Sequence, residues 1–351
     1  MDNSSIKQSL VNAGIDRKRP GTPLLKAIVG TLTCALVGVA WADDMDRCLL
    51  EESAKASDQM TIGEVRSICQ AKEADQLIAE EPPEEKPTPV QMRLDSEYDT
   101  MGRNFAITTH KPNYIMYTHN SKTNQSLIED ISGTEEPLDD EEMKLQVSMK
   151  FPLARDVIRP NNDILFAFTA TAWWQLFNDE FSEPFRETNY EPEIFWRHYG
   201  GPEILGLKMA GWDLGLNHES NGRGFTDLSR SWNRVLGQAI FDADSLSLLL
   251  RAWYRIPVDD DDDDNPQMHR YYGYGDIRAI WAPNRNTLTA MFRPGTEKNA
   301  FELTWSYPIT KVLRVYTQYF NGYGESLLDY DVRTERIGIG IALNDFVERR
   351  N

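Results

Sequence analysis

A histidine and a serine stand two residues apart in the stretch Trp212–Asn233, WDLGLNHESNGRGFTDLSRSWN, and this pair carries the chemistry most open to argument from sequence. Read as a strand, the segment sends alternate side chains to opposite faces. Trp212, Leu214, Leu216, His218 and Ser220 share one face, and Asp213, Gly215, Asn217 and Glu219 share the other. A base and a hydroxyl therefore end an apolar stripe, an odd setting in a water-soluble protein. If the stripe meets lipid, the pair meets lipid too. The Gly-containing loop Asn221–Gly224 follows, then an Asp/Ser/Arg-rich turn, then Asn233 opening the next apolar-patterned run. A hydroxyl nucleophile, an imidazole base, a carboxamide to orient it and glycine backbone N–H groups are the parts of a nucleophilic hydrolase. A His-x-Ser pair by itself is common on protein surfaces, so the reading depends on what positions it.

The elements that must do so begin near Leu94. From there, runs of about ten residues alternate in polarity and are separated by turn-rich segments, the pattern of a transmembrane β-barrel. Ile337, Ile339, Ile341 and Leu343 alternate with Gly338, Gly340 and Ala342, and Phe301, Leu303 and Trp305 alternate with Glu302, Thr304 and Ser306. Bulky apolar groups on one face and charge on the other suit a lipid exterior and a polar lumen. Twelve such runs begin near Phe105, Glu142, Ile164, Glu193, Leu207, Trp232, Leu246, Tyr272, Thr287, Ala300, Val312 and Arg336. Short connections (Asp242–Ser245, Ala282–Asn286, Tyr307–Lys311) alternate with long polar ones (Asn120–Glu141, Asn178–Pro192, the 220s, Val258–Arg270, Asn321–Glu335). An even strand number closes such a sheet without a free edge. Aromatic residues gather near run ends, as interfacial girdles require. The rival architecture, a soluble all-β sandwich, has no need of that loop asymmetry. The fold class expected is all-β: a twelve-stranded antiparallel transmembrane β-barrel with a small N-terminal periplasmic helical extension.

Residues 1–42 read as a secretory signal: Lys7 and Arg17–Arg19, an apolar run Leu24–Ala40, and the cleavage pattern Ala40-Trp41-Ala42 before Asp43. Residues 43–80 follow a helical pattern, with Cys48 and Cys69 as the only cysteines left after cleavage. In an exported protein such a pair is expected to bond. Closing a loop of about 20 residues contributes roughly 3 kcal/mol by chain entropy. Residues 81–93 read as a Pro/Glu linker and 94–351 as the barrel. The net charge of −18 argues against nucleic acid as a partner. The acidic run Asp259–Asp264 falls in a long loop and reads first as a solvated tip.

His218-Glu219-Ser220-Asn221-Gly222-Arg223, with Ser229-Arg230-Ser231-Trp232-Asn233-Arg234, resembles the signature of the outer-membrane phospholipase A family. Trp173–Leu176, Pro184–Tyr190, Tyr307–Lys311 and Gly322–Leu327 resemble that family in the same order, so the resemblance spans Leu94 to Phe346. It implies calcium-dependent hydrolysis of phospholipid acyl esters (phospholipase A1/A2 and lysophospholipase) in the outer leaflet of the outer membrane. It further implies a homodimer as the active form and membrane phospholipids as substrate. In these terms Ser220 is the nucleophile, His218 its base, Asn233 the residue orienting the ring, and the Gly222 N–H an oxyanion donor. Ca2+ would draw on Ser182 (from the same or the other subunit), the Arg223 carbonyl, Asp227 and the Ser229 hydroxyl. Two non-enzymatic readings compete, a passive porin and a structural or adhesive barrel. A porin has no reason to place His and Ser on the lipid face, and an adhesive barrel would put its interest in the long loops.

Overall fold

Alternation in the sequence becomes alternation in space: along Tyr114–Asn120 buried and exposed residues strictly take turns. The computed structural model describes residues 45–56, 60–79, 87–103, 105–125, 137–179, 185–224, 228–259 and 263–348. The chain divides between Glu85 and Lys86 into two units. The first holds helix α1 (residues 45–55) and helix α2 (Ile62–Ala79), joined by the expected disulfide between Cys48 and Cys69. The signal segment lies outside the described residues.

The second unit begins with helix α3 (Pro89–Met101) and then forms twelve long strands. These are β1 (Tyr114–Asn120), β2 (Glu141–Ala154), β3 (Asn162–Trp174), β4 (Phe185–Tyr199), β5 (Leu207–Ser220), β6 (Ser231–Ala243), β7 (Leu246–Arg255), β8 (Gly275–Trp281), β9 (Thr287–Pro294), β10 (Asn299–Pro308), β11 (Arg314–Tyr323) and β12 (Arg333–Ala342). Each pairs antiparallel with the next, and β12 returns to β1 with Ile339 opposite Tyr117. The cylinder is closed, so each of these twelve strands has a partner on both sides. A helix α4 (Met268–Tyr272) lies in the connection between β7 and β8.

Outward positions are apolar and exposed: Leu214 and Leu216 on β5, Leu303 on β10, Ile337 and Ile339 on β12. Inward positions are polar and buried, and a buried charge is tolerable only when paired. Arg186 pairs with Glu142 at 2.6 Å and with Asp329. Arg336 bridges Glu142 (2.8 Å) and Glu325 (2.9 Å), and Lys144 meets Glu325 at 2.9 Å. At the other end Lys150 meets Glu97 at 2.7 Å, and Arg197 meets Asp213 at 2.7 Å. A lumenal cavity of about 260 Å³ remains. Arg314 pairs with Asp345 at 2.7 Å.

Three boundaries differ from the sequence reading. The linker does not reach residue 93, because Thr88 caps a helix there: its hydroxyl accepts from the Gln91 N–H at 3.0 Å, and Pro89 takes the first turn, where no N–H is needed. Helix α3 lies against the barrel interior, burying Val90 and Leu94 against Ala210, Ile240, Ile280 and Val347. The run expected from Phe105 starts at Tyr114; Phe105 is fully exposed with φ 59°. The strand expected from Glu193 starts at Phe185. Its lumen-facing Glu187, Asn189, Glu191 and Glu193 are polar, which made the segment look like loop. After Phe346, Val347 packs under α3, and the Glu348 N–H donates to the Pro89 carbonyl at 3.0 Å.

Candidate active site

Strands β5 and β6 place the candidate residues through a single register. His218 lies opposite Asn233 and Ser220 opposite Ser231. The inward side of this hairpin is locked by charge. Arg234 donates to Asn217 Oδ1 at 2.8 Å and to Glu219 Oε2 at 2.9 Å, and Trp232 Nε1 donates to Glu219 Oε2 at 3.0 Å. The Arg234 guanidinium also lies 3.8 Å from the Trp232 ring centroid. Because strand period is two, pinning Asn217 and Glu219 inward turns His218 and Ser220 outward. They continue the lipid-facing row of Leu214 and Leu216, which are about half exposed at 49% and 53%.

On that outer face His218 Nδ1 lies 2.9 Å from Asn233 Oδ1. A carboxamide oxygen accepts, so Nδ1 carries the proton and Nε2 keeps its lone pair. Ser220 stands on the same face one pleat away, a Cα step of roughly 6.7 Å. The arrangement offers an imidazole held by its Nδ1 next to a serine hydroxyl, at the rim of a lipid-facing wall.

Beyond Ser220 the chain turns through Asn221, Gly222, Arg223 and Gly224. Gly222 has φ +68°, and a Cβ there would meet the Tyr190 ring at 3.2 Å, so both backbone and neighbour call for glycine. Tyr190 is the cross-strand partner of Ser220 on β4. The Arg223 side chain turns inward, its Nε 3.5 Å from buried Glu187 and its Nη2 donating to the Arg186 carbonyl. What Arg223 can offer a ligand on the outer side is therefore its carbonyl oxygen. The Ser229 hydroxyl donates to Asp264 Oδ2 at 2.9 Å, and Asp263 pairs with Arg255. The last carboxylate of the acidic run thus reaches the loop that precedes β6 while staying exposed to solvent. Ser182 and Asp227 lie outside the described residues. Among the described residues no cluster of three or more His, Cys, Asp or Glu side chains is poised to hold a metal. The oxygen donors offered here are instead a carbonyl, a hydroxyl and a single nearby carboxylate, hard ligands of the kind calcium takes.

Sequence reasoning brought together His218, Ser220, Asn233, Gly222, Arg223 and Ser229, and all six stand around one loop. It named Glu187 and Tyr190 only within the Pro184–Tyr190 stretch and Asp264 only as the end of the acidic run, and placed none of them at this loop. Each comes from a segment more than 25 residues away, joined only by strand pairing or loop packing, and one sequence holds no signal for those neighbours.

Residues 90–343 match the Phospholipase A1 family. The chain is 37% identical over 243 residues to Phospholipase A1 of Escherichia coli K12, covering 69% of this chain and 82% of that one. It is 32% identical over 279 residues to a putative phospholipase A1 of Neisseria meningitidis, covering 74% of this chain and 70% of that one. Among solved structures, an active-site mutant of outer membrane phospholipase A from Escherichia coli superposes with a TM-score of 0.67 at 35% identity, covering 72% of this chain and 98% of that chain. The calcium-bound dimer of the Salmonella typhi outer membrane phospholipase also gives 0.67 at 35%, covering 71% and 97%.

Proposed function

The chain belongs to the phospholipase A1 family, and from that premise we propose that it hydrolyses phospholipid acyl esters with a Ser220–His218–Asn233 triad, as a calcium-dependent dimer facing the outer leaflet. It is a phospholipase carried on an outer-membrane β-barrel. The observation that carries the finer reading is the 2.9 Å contact of His218 with Asn233 on the lipid face. No passive channel or structural barrel has use for it.

In this reading Ser220 Oγ attacks the ester carbonyl as its proton passes to His218 Nε2, so a C–O bond forms while the imidazole becomes imidazolium. Asn233 holds the ring throughout. Being neutral, it stabilises the imidazolium less than a carboxylate would. The Gly222 N–H faces the oxygen on which negative charge develops. Collapse of the adduct expels the glycerol oxygen, which takes the proton from His218. Water then attacks the acyl-serine with His218 again as base, and the fatty acid leaves. The Arg223 carbonyl, the Ser229 hydroxyl, Asp227 and Ser182 are the residues that would hold calcium, with Ser182 supplied by either copy. When bound, calcium supplies positive charge to the oxyanion. Dimerisation would cover the outer face beside the triad. It would also tie activity to loss of membrane asymmetry, because phospholipid reaches the outer leaflet only then.

Hydrolysis of phospholipid in mixed micelles, with calcium and with chelator, tests the proposal. We expect activity that needs calcium and falls by at least about a thousandfold in Ser220→Ala. Unchanged hydrolysis by Ser220→Ala would exclude the triad, and full activity of a monomer in chelator would exclude both switches.

A further inference from the structure

Among the described residues, the Asn221 side chain spans the loop that carries the candidate oxyanion donor and calcium oxygens. Asn221 is buried at 5% exposure, directly after Ser220. Its backbone N–H donates to the Arg230 carbonyl at 3.0 Å, closing the neck of the β5–β6 hairpin. Its carboxamide oxygen accepts from the Arg230 N–H at 3.0 Å and the Arg223 N–H at 3.4 Å. Its amide nitrogen donates to the Leu228 carbonyl at 2.8 Å and lies 3.5 Å from Glu187 Oε2. One carboxamide thus engages both limbs of the loop and a fully buried carboxylate beneath them. Glu187 is itself held by Asn189 at 2.5 Å and by Arg223 at 3.5 Å.

A residue that merely formed a turn would need only the Asn221–Arg223 bond. The contacts to Leu228 and Arg230, on the far limb, do something more. They fix the distance between Arg223 and Ser229, two residues of this loop whose oxygens are proposed for a cation. They also anchor Gly222, whose N–H must point at the reacting centre. We propose that Asn221 is the positioning residue of this loop, holding the Gly222 N–H, the Arg223 carbonyl and the Ser229 hydroxyl in one frame through its clasp on Leu228, Arg230 and Glu187. The inference rests on the calcium-dependent hydrolase reading and adds to it a residue that touches neither substrate nor metal.

Calcium binding, measured by titration calorimetry on the detergent-folded full chain carrying Ser220→Ala, separates the two. In that background Asn221→Ala should raise half-saturating calcium at least about tenfold, the usual loss when a group behind the ligands is removed. Barrel integrity, read as heat-modifiable gel mobility, should not change. The exchange Asn221→Asp with Glu187→Gln keeps the acceptor for Arg223 and Arg230 and the contact between positions 221 and 187 but gives up the donor to the Leu228 carbonyl. It should therefore recover part of the affinity, which a purely structural role would not predict. If Asn221→Ala does not insert, Asn221→Ser carries the same criterion, since its side chain is too short to reach Leu228. Half-saturation within twofold of the parent in either folded variant overturns the clasp and leaves the hydrolase reading standing. A parent that binds no calcium overturns the calcium reading itself.

Discussion

His218 has a defined tautomer because Asn233 Oδ1 accepts a hydrogen bond from its Nδ1–H across the β5–β6 pair. Replacing Asn233 by alanine frees the ring to rotate without opening the barrel. We expect kcat to fall by about a hundredfold, as for a small misplacement of a catalytic group, with KM little changed; steady-state kinetics of the folded variant measures both. Equal loss in KM would mean that Asn233 binds substrate instead of orienting the base. At this scale much was legible in the sequence. A strand period of two puts residues 218 and 220 on one face whatever the surrounding fold. The roles of Glu187 and Tyr190 were not legible, because they depend on which strand lies beside β5 and in what register.

Helix α3 is the element the sequence concealed. Its Pro/Glu-rich approach looked like tether, yet the Thr88-Pro89 pair is a helix start with a mechanism, and Thr88 Oγ1 also donates to Asp242 at 2.6 Å. The helix brings Glu97 into the barrel against Lys150, Arg93 and Arg197. Burial pushes the Glu97 carboxyl up, but these three cations outweigh it and hold the group at about 2. A lowered folded-state value stabilises above the unfolded value, near 4.5, and the stabilisation is lost as pH falls toward 2. Glu97→Ala should cost about 3–5 kcal/mol at neutral pH, since it leaves buried cations without their partner. It should also flatten the loss of stability between pH 4.5 and 2. Urea unfolding followed by tryptophan fluorescence at several pH values checks both. An acid profile identical to the parent's would show that Glu97 is not the group that titrates. Strand β4 teaches the same lesson from the other side: polar residues facing a lumen imitate a loop.

At the scale of the molecule, the lumen is closed by side chains and not left as a pore. Helix α3 fills one end, and at the other the cluster of Trp232, Trp253, Met268, Tyr272, Leu327 and Tyr330 packs α4 and the connection after β11 against β6 and β7. Ion-pair chains occupy the middle. Reconstituted in a planar bilayer, the protein should show no steady conductance of the size an open porin gives, and sustained channels would revive the porin reading. Closure of the sheet was legible from the even count of runs and the alternation of short and long connections. The filling of its ends was not, because helices and tails are assigned to a lumen only by three-dimensional packing.

The central claim is that Ser220 is a nucleophile displayed toward acyl chains. A fluorophosphonate with a long alkyl chain, added to the folded protein and followed by peptide mass spectrometry, asks this most directly. One adduct, on Ser220, absent in Ser220→Ala and strongly slowed in His218→Ala, is the predicted result. An adduct on another residue, or a Ser220 that stays unmodified while the protein hydrolyses phospholipid, would contradict the account.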